Sequence, residues 1–220
     1  MNDKLKNEVL PTGLYGITAE KFSGGRSNIQ VVEQMIQGGI KIIQYREKRP
    51  AKSYRAILEE CRQIRALTRA AEVTFVVNDY VDIALLVDAD GVHVGQDDLP
   101  VGEVKRLLGP EKIVGLSTHS PSQAQDAVRA GADYIGVGPV FATKTKDDVC
   151  DPVGCSYLEW VVENISLPFV AIGGIKLHNI DQIVRRGARS ICLVTEIVGA
   201  ADIAARIRQV QAALVQSPTP

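Results

Sequence analysis

The chain has 220 residues, of which 45% are hydrophobic, and its 25 basic and 26 acidic side chains give a net charge of −1. This length fits one domain of α/β-barrel size, and the balanced charge gives no electrostatic reason to expect a nucleic-acid or membrane partner. No run approaches the roughly 18 apolar residues of a membrane helix and the charged start does not fit a signal peptide, so we predict a cytoplasmic location and leave homo-oligomerisation open.

Apolar segments of strand length alternate with amphipathic helical segments along the chain. The predicted strands are Leu14–Thr18, Lys41–Arg46, Thr74–Asn78, Gly91–Gly95, Lys112–Ser117, Tyr134–Phe141, Phe169–Ile172 and Ser190–Val194. The predicted helices are Asn28–Gln37, Ser53–Ala71, Val81–Val87, Val101–Leu108, Ser120–Ala130, Ser156–Ile165, His178–Arg186 and Ala201–Val215. The strands are rich in Val and Ile and lack clean alternation with polar residues, as is expected when both faces of a sheet are covered.

Glycines recur where a predicted helix gives way to the next strand, in QGGIKIIQ, DADGVHVG, AGADYIGVG and RGARSICLV. Glycine adopts the left-handed conformation that ends a helix without a steric penalty, so the chain can turn at once into the sheet. Repeated αβ units of this kind predict a single closed (β/α)8 TIM barrel over residues 13–216, with an open doubly wound sheet as the alternative. Residues 1–12 are predicted to be a charged extension and residues 217–220 a tail.

Polar side chains follow the predicted strands at the barrel end where such folds carry their chemistry. Asp79 follows the third strand and Asp98 the fourth, so the two carboxylates come from adjacent strand ends. Magnesium prefers one or two carboxylates together with substrate phosphate oxygens and water. Each aspartate alone is more often a helix cap or loop residue, but together with the cations of the same rim they predict a magnesium site.

Two further segments indicate anion binding. GPVFATKTK, residues 138–146, ends in alternating threonines and lysines, which offer hydroxyl donors and point charges to phosphate oxygens. The pair Gly173-Gly174 follows the seventh strand, where barrels commonly bind phosphate through backbone N–H groups. Arg46, Lys48 and Lys146 carry more positive charge than one monophosphate requires. We therefore predict a diphosphate bound as its magnesium complex and a separate monophosphate.

The strand ends and their loops carry the segments QYREK, VVNDYVDIAL, DGVHVGQDDLP, GLSTHS, ADYIGVGPVFATKTK, PVG, FVAIGGI and LVTEI. Together these resemble the thiamine-phosphate synthase family over about residues 13–215. The resemblance implies a transferase that joins a pyrimidine diphosphate to a thiazole phosphate, with one Mg²⁺ per subunit. It also implies a dissociative reaction, in which pyrophosphate leaves first and the thiazole nitrogen captures a pyrimidine-stabilised carbocation.

The resemblance also assigns roles to individual residues. The pyrimidine diphosphate would be bound by Gln44, Tyr45, Arg46, Glu47, Lys48, Asn78, Ser117 and Lys146. The thiazole phosphate would be bound by Thr143, Lys144, Thr145, Gly174, Val194 and Thr195. The metal ligands would be Asp79 and Asp98, and the catalytic residues Arg46, Lys48, Ser117 and Lys146. The long connection from Ala142 to Cys155 is predicted to close over the substrates as a lid.

Three other functions fit parts of this pattern. A thiazole tautomerase resembles the fold and keeps the monophosphate site, but it needs no magnesium. A sugar-phosphate isomerase or epimerase would need a paired base at the strand ends, and none is evident. A non-catalytic phosphate sensor would bind without turnover. Of the histidines, His93 lies mid-strand and is interpreted as a hydrogen-bonded core residue, whereas His119 is left undecided between a helix cap and the rim.

Overall fold

The computed structural model describes residues 9–145 and 150–216, which form a closed barrel of eight parallel strands. The strands are β1 (Gly13–Ile17), β2 (Ile42–Tyr45), β3 (Thr74–Asn78), β4 (Gly91–Val94), β5 (Ile113–Thr118), β6 (Tyr134–Val137), β7 (Phe169–Ile172) and β8 (Ser190–Cys192). They pair in chain order, and β8 closes the barrel against β1. This closure confirms the predicted (β/α)8 barrel and excludes the open doubly wound sheet.

Within the described ranges, one α-helix follows each of the first seven strands and two follow β8. They are α1 (Asn28–Gln37), α2 (Tyr54–Ala70), α3 (Val81–Leu86), α4 (Val101–Leu108), α5 (Pro121–Ala130), α6 (Gly154–Asn164), α7 (Ile180–Val184), α8 (Val194–Val198) and α9 (Ile203–Gln216). Most predicted ends agree with the structure to within two residues. Among these helices, none is long and apolar enough to cross a membrane.

Serine side chains define where three of the helices begin. Ser27, Ser53 and Ser120 lie directly before α1, α2 and α5, and each accepts a hydrogen bond from the backbone N–H three residues further on. At α1 the bond is reciprocal, because the side chain of Gln30 accepts from the N–H of Ser27. Each cap replaces a hydrogen bond that the first helical turn lacks and stabilises it by about 1 kcal/mol.

The left-handed turns after the helices agree only in part with the predicted glycine pattern. Gly131 (φ 77°) ends α5 and Gly187 (φ 92°) follows α7, as predicted. After α3 the left-handed residue is Asp88 (φ 53°), a residue type that tolerates this conformation better than most. Gly91 is instead the first residue of β4, where a Cβ atom would lie 2.3 Å from a carbonyl oxygen of β5. Its predicted role as a helix-ending glycine was wrong, because strand packing is what excludes a side chain there.

The sixth strand ends earlier than predicted. β6 stops at Val137, two residues before Pro139, which has no N–H to continue the ladder and is joined to Gly138 by a cis peptide bond. The chain still runs beside β7, because the N–H of Val140 donates to a β7 carbonyl at 2.9 Å. The segment after β6 is therefore held against the end of β7 even though it is no longer a strand.

The eighth strand also ends earlier, at Cys192. Thr195 and Glu196 follow β8 in the first turn of α8. A backbone bond from the Ile197 N–H to the Leu193 carbonyl, at 3.1 Å, closes that turn. The polar residues after β8 are consequently held on a short helix at the barrel rim.

Two layers of apolar side chains stabilise the barrel. The larger layer lies between the strands and the surrounding helices, and the smaller one fills the barrel interior. The interior layer includes Tyr15, Ile17, Val76, Tyr134 and Val170. Because successive strand residues point to opposite faces, the interior receives every second residue of a strand. This inner layer supplies the floor of the cavity in which the predicted site residues gather.

Candidate active site

A cavity of about 1000 Å³ opens at the carboxyl ends of the strands, and it brings together most of the predicted site residues. From β2 to β5 the lining includes Gln44, Arg46, Lys48, Asn78, Asp79, Asp98 and Ser117. From β6 to α8 the lining includes Thr143, Lys144, Thr145, Gly174, Val194 and Thr195. Lys146 and the middle of the predicted lid lie outside the described residues, in the range 146–149.

Two buried donors of this cavity have no hydrogen-bond partner among the described residues. They are the Nδ2 atom of Asn78, a residue that is 5% exposed, and the Nε atom of Arg46. The backbone of Arg46 is itself fixed, because its N–H donates to Thr18 Oγ1 at 2.9 Å. Buried polar atoms are nearly always paired in folded proteins, so unpaired donors in a cavity wall indicate a ligand with acceptor oxygens.

The carboxyl groups of Asp79 and Asp98 interact between the ends of β3 and β4. Asp79 has a left-handed backbone (φ 63°), and its N–H donates to the His93 carbonyl at 2.9 Å. Oδ2 of Asp98 accepts from the Gly95 N–H at 2.7 Å. Burial, followed by the contact with Asp98, raises the pKa of the Asp79 carboxyl group to about 6, and the Lys48 ammonium group 3.4 Å away partly offsets this rise. The Asp79 carboxyl group therefore resists ionisation in this position.

This carboxylate pair is chemically suited to the predicted magnesium ion. Its oxygens are hard ligands, and its mutual repulsion is a cost that a divalent cation would relieve. Among the described residues, no group of three or more His, Cys, Asp or Glu side chains is arranged to hold a metal ion. Magnesium prefers one or two carboxylates together with substrate oxygens and water, and the Asp79–Asp98 pair suits that preference.

A chain of hydrogen bonds crosses the barrel beneath the cavity and joins Gln44 to Ser117. Gln44 Nε2 donates to the Tyr15 hydroxyl (2.9 Å), which lies 2.8 Å from the Tyr134 hydroxyl. The Tyr134 hydroxyl lies 3.0 Å from His93 Nδ1, and His93 Nε2 lies 2.9 Å from Ser117 Oγ. Burial raises the pKa of both tyrosines well above 10, so they stay protonated. The expectation of a hydrogen-bonded core histidine at position 93 is confirmed, although its ring also lines the cavity.

The second predicted anion region lies where β7 and β8 end. Gly173 (φ 99°) and Gly174 (φ 64°) turn the chain, and a Cβ atom at Gly174 would lie 2.6 Å from the Ala142 carbonyl oxygen. The turn therefore packs directly against the segment that carries Thr143 and Thr145, whose hydroxyl oxygens lie 3.0 Å apart. Loops after strands seven and eight, with a short extra helix such as α8, commonly form the phosphate site of (β/α)8 barrels.

Tyr45 and Glu47, predicted to contact the pyrimidine diphosphate, do not line the cavity. Gln44 points into the barrel, so Tyr45, the next strand residue, points outward, where it is fully buried against the helices. Its hydroxyl donates to Oε2 of Glu60 on α2 at 2.6 Å. Oε1 of Glu47 accepts from the Glu20 N–H at 2.9 Å, outside the cavity. Both side chains tie the end of β2 to its surroundings, and the prediction that they touch substrate is corrected accordingly.

His119 and Lys176 are among the cavity residues to which the sequence assigned no role. His119 Nδ1 lies 2.5 Å from the Gly138 carbonyl oxygen, which places the ring at the rim rather than at a helix cap. Lys176 Nζ donates to Thr195 Oγ1 at 2.7 Å. The signal for Lys176 was present, since it is the first basic residue after Gly173-Gly174 at the end of β7. A side chain two residues past a glycine turn can reach either face, however, and only the fold shows which one.

The rim of the closed barrel carries a carboxylate pair on one side and a glycine–threonine pocket on the other. These features define the class of (β/α)8 enzymes that act on phosphorylated small molecules. Residues 14–197 match the family model described as thiamine monophosphate synthase. The chain therefore belongs to the thiamine monophosphate synthase family.

Individual relatives agree with this membership. A protein named thiamine-phosphate synthase from Pelotomaculum thermopropionicum is 66% identical over 205 residues, which cover 93% of each chain. Another of that name from Lawsonia intracellularis is 54% identical over 215 residues, or 98% of each chain. The solved structure of thiamine phosphate pyrophosphorylase from Pyrococcus furiosus has a TM-score of 0.85 and 32% identity, and the match covers 97% of this chain and 98% of that one.

Proposed function

We propose that this protein is a thiamine-phosphate synthase. It joins 4-amino-2-methyl-5-hydroxymethylpyrimidine diphosphate to 4-methyl-5-(2-phosphooxyethyl)thiazole, or to the carboxylated form of that thiazole, and releases thiamine phosphate and pyrophosphate. Family membership supports the transferase activity. One local arrangement carries the proposal. Asn78, whose Nδ2 atom has no hydrogen-bond partner in the described structure, is next in sequence to Asp79, and Asp79 interacts with Asp98. All three residues line a cavity of a size suited to small-molecule substrates.

The diphosphate occupies the side of the cavity formed by β2 to β4. Asp79 and Asp98 would hold one magnesium ion per subunit, and a bound ion would stabilise the charge on the departing pyrophosphate. Arg46 and Lys48 neutralise further charge, and Asn78 donates to a diphosphate oxygen. The barrel holds the buried Asn78 and the backbone of Arg46 in place before the substrate binds, which limits the reorganisation that accompanies the reaction.

The bond that breaks joins the pyrimidine methylene carbon to the diphosphate oxygen, and its electron pair leaves with pyrophosphate. The thiazole nitrogen then donates its lone pair to the resulting carbocation, and the carbon–nitrogen bond forms without a required proton transfer. Gln44 and Ser117 lie at the two ends of the hydrogen-bonded chain beneath the cavity and orient the pyrimidine ring. Lys146, predicted from the sequence as a further donor to pyrophosphate, completes the catalytic set.

The thiazole phosphate occupies the opposite side. Thr143, Lys144 and Thr145 contact it from the segment after β6, and the backbone at Gly174 and at Val194-Thr195 contacts it from the ends of β7 and β8. Binding on this side places the ring nitrogen toward the centre of the cavity, where the carbocation forms. A biosynthetic role with small-molecule substrates agrees with the cytoplasmic location expected from the sequence.

The test is to incubate the purified protein with both precursors and magnesium and to measure pyrophosphate and thiamine phosphate together. We expect equal amounts of the two products, dependence on both precursors, and loss of turnover when the metal is chelated. Binding of the thiazole phosphate without any pyrophosphate release would refute the proposal and favour a sensor. Conversion of the thiazole phosphate alone, without metal, would instead favour the tautomerase.

A further inference from the structure

Lys176 is a cavity cation to which the reaction described above gives no role. It follows the turn Gly173-Gly174 and is about one-third exposed, with 32% of its side chain accessible. Its Nζ atom donates to Thr195 Oγ1 at 2.7 Å and lies 3.5 Å from Oε2 of Glu196. The ammonium group therefore sits beside one of the residues proposed to contact the thiazole phosphate.

The charges around Lys176 do not cancel. Glu196 is 16% exposed, and its other oxygen, Oε1, accepts a hydrogen bond from Arg206 on α9. Two cations thus share one carboxylate, which leaves this group with a net charge of +1. Arg206 does not line the cavity, whereas Lys176 does. The surplus positive charge is therefore presented to the cavity by Lys176.

The backbone holds Lys176 in a fixed relation to the glycine turn. Its N–H donates to Oδ1 of Asn179 at 2.7 Å, and Nδ2 of Asn179 donates to the Gly174 carbonyl at 3.1 Å. Asn179 is 8% exposed, so both bonds are sheltered from water. The lysine and the turn consequently form one unit, and a ligand bound at Gly174 lies within reach of the ammonium group.

Barrel topology separates Lys176 from the other anion site. The strands pair in the order β1 to β8, so the ends of β7 and β8 lie across the barrel from the ends of β3 and β4. Asp79 and Asp98 follow β3 and β4, whereas Lys176 and Thr195 follow β7 and β8. A diphosphate bound near the carboxylate pair would leave Lys176 available to bind a second anion.

We propose that Lys176 binds the phosphate group of the acceptor thiazole, and that it makes this protein select the phosphorylated thiazole over the free alcohol. This role rests on the proposed function. Thr195 and Glu196 hold the ammonium group in place before the acceptor binds, so that the side chain loses little freedom on binding. A charge-assisted contact of this kind changes affinity by about tenfold to a hundredfold.

The test compares the wild type with Lys176→Met, which keeps the length of the side chain and removes its charge. We expect the KM for the thiazole phosphate to rise about tenfold to a hundredfold, while kcat at saturation and the KM for the pyrimidine diphosphate stay within twofold. With the thiazole alcohol as acceptor, the two proteins should have the same KM. Lys176→Arg should recover a large part of the loss, since it restores the charge.

A matched control is Lys41→Met, which removes the same charge from an exposed residue before β2, at the opposite end of the barrel. It should leave every kinetic constant unchanged. The role of Lys176 is overturned if Lys176→Met leaves the KM for the thiazole phosphate unchanged, raises the KM for the pyrimidine diphosphate instead, or weakens use of the alcohol equally. Absence of thiamine phosphate with the wild type would refute the proposed function itself, which is a different result.

Discussion

The Nζ atom of Lys48 lies 3.4 Å from Oδ2 of Asp79, whose carboxyl group also interacts with that of Asp98. One cation therefore faces two acidic groups at the edge of the cavity. The lysine lowers the pKa of Asp79, but burial and the second carboxyl group outweigh it and hold that pKa near 6. A further positive charge would favour the ionised form of Asp79, and this preference would couple metal binding to pH.

The first prediction concerns that coupling. Because a proton must leave Asp79 before the pair can bind a cation, magnesium affinity should fall as the pH drops through about 6, by up to about tenfold per pH unit. Asp79→Asn should abolish measurable magnesium binding and reduce turnover at least about a hundredfold. Asparagine is the suitable replacement, because the left-handed backbone at this position (φ 63°) would strain alanine. Calorimetric titration of magnesium between pH 5 and pH 8, values chosen to bracket that pKa, measures both effects.

Asp79→Asn should also raise the stability of the metal-free protein. The folded protein binds the Asp79 proton more tightly than the unfolded chain, where the pKa is near 3.8, so the metal-free protein loses stability as the pH rises from 3.8 to about 6. The free energy of unfolding of Asp79→Asn should therefore be about 1–2 kcal/mol higher than that of the metal-free wild type at pH 8, and this difference should vanish near pH 4. The control is Asp126→Asn, which changes an exposed carboxylate paired with Arg129. This variant should not become more stable than the wild type at pH 8. A variant less stable than the wild type at pH 8 would contradict the account.

A second prediction isolates the unpaired donor. Asn78→Ala removes an Nδ2 atom that has no partner in the described structure, so the free energy of unfolding should change by less than about 1 kcal/mol. The same change should lower kcat/KM for the pyrimidine diphosphate about tenfold to a hundredfold, because a donor to the diphosphate is lost. Steady-state kinetics and thermal unfolding of one preparation give both values. A large stability loss with normal kinetics would mean that Asn78 supports the fold rather than the substrate.

A third prediction tests the corrected role of Tyr45. Tyr45→Phe deletes the hydroxyl that donates to Glu60 and leaves the cavity lining intact. We expect the free energy of unfolding to fall by about 1–2 kcal/mol, because a buried, charge-assisted hydrogen bond is lost. Both KM values and kcat should stay within about twofold of the wild type, since no donor to substrate is lost. A tenfold rise in the KM for the pyrimidine diphosphate would restore Tyr45 as a substrate contact.

These residues also show how far the sequence alone leads. The period of a strand is two, so placing Gln44 inside the barrel already required Tyr45 to point outward, and the prediction of both as substrate contacts ignored that parity. The rim position of Asp79 followed from the same rule and from the end of β3. The side-chain directions of Gln44 and Tyr45 and the position of Asp79 depend on local sequence, so they can be predicted from it.

Other features depend on contacts between distant segments. The turn of α8 carries Glu196, whose partners are Lys176, 20 positions earlier, and Arg206, 10 positions later. The hydrogen-bonded chain under the cavity joins Tyr15 to Tyr134, which are 119 residues apart. No spacing in the sequence encodes such pairs, because they arise only when the barrel closes. Lys176 was missed because only the closed barrel shows that it faces the cavity beside Thr195.

The last prediction addresses that buried chain. Tyr134→Phe removes the hydroxyl that contacts both Tyr15 and His93, so it should lower the free energy of unfolding by about 1–3 kcal/mol. His93 would lose the bond at Nδ1 that orients its ring, and its contact with Ser117 Oγ would become less fixed. We therefore expect kcat to fall about tenfold, because a substrate-orienting hydroxyl loses its support, while the KM for the thiazole phosphate stays close to that of the wild type.

Tyr157→Phe separates this effect from a general loss of stability. The Tyr157 hydroxyl donates to Thr118 Oγ1 at 2.8 Å, it is buried, and neither residue lines the cavity. This control should lose a similar amount of stability and keep kcat. Equal kcat losses in the two variants would show that the buried chain acts only through stability. A loss confined to Tyr134→Phe would show that Tyr134 positions the reacting pyrimidine through His93 and Ser117.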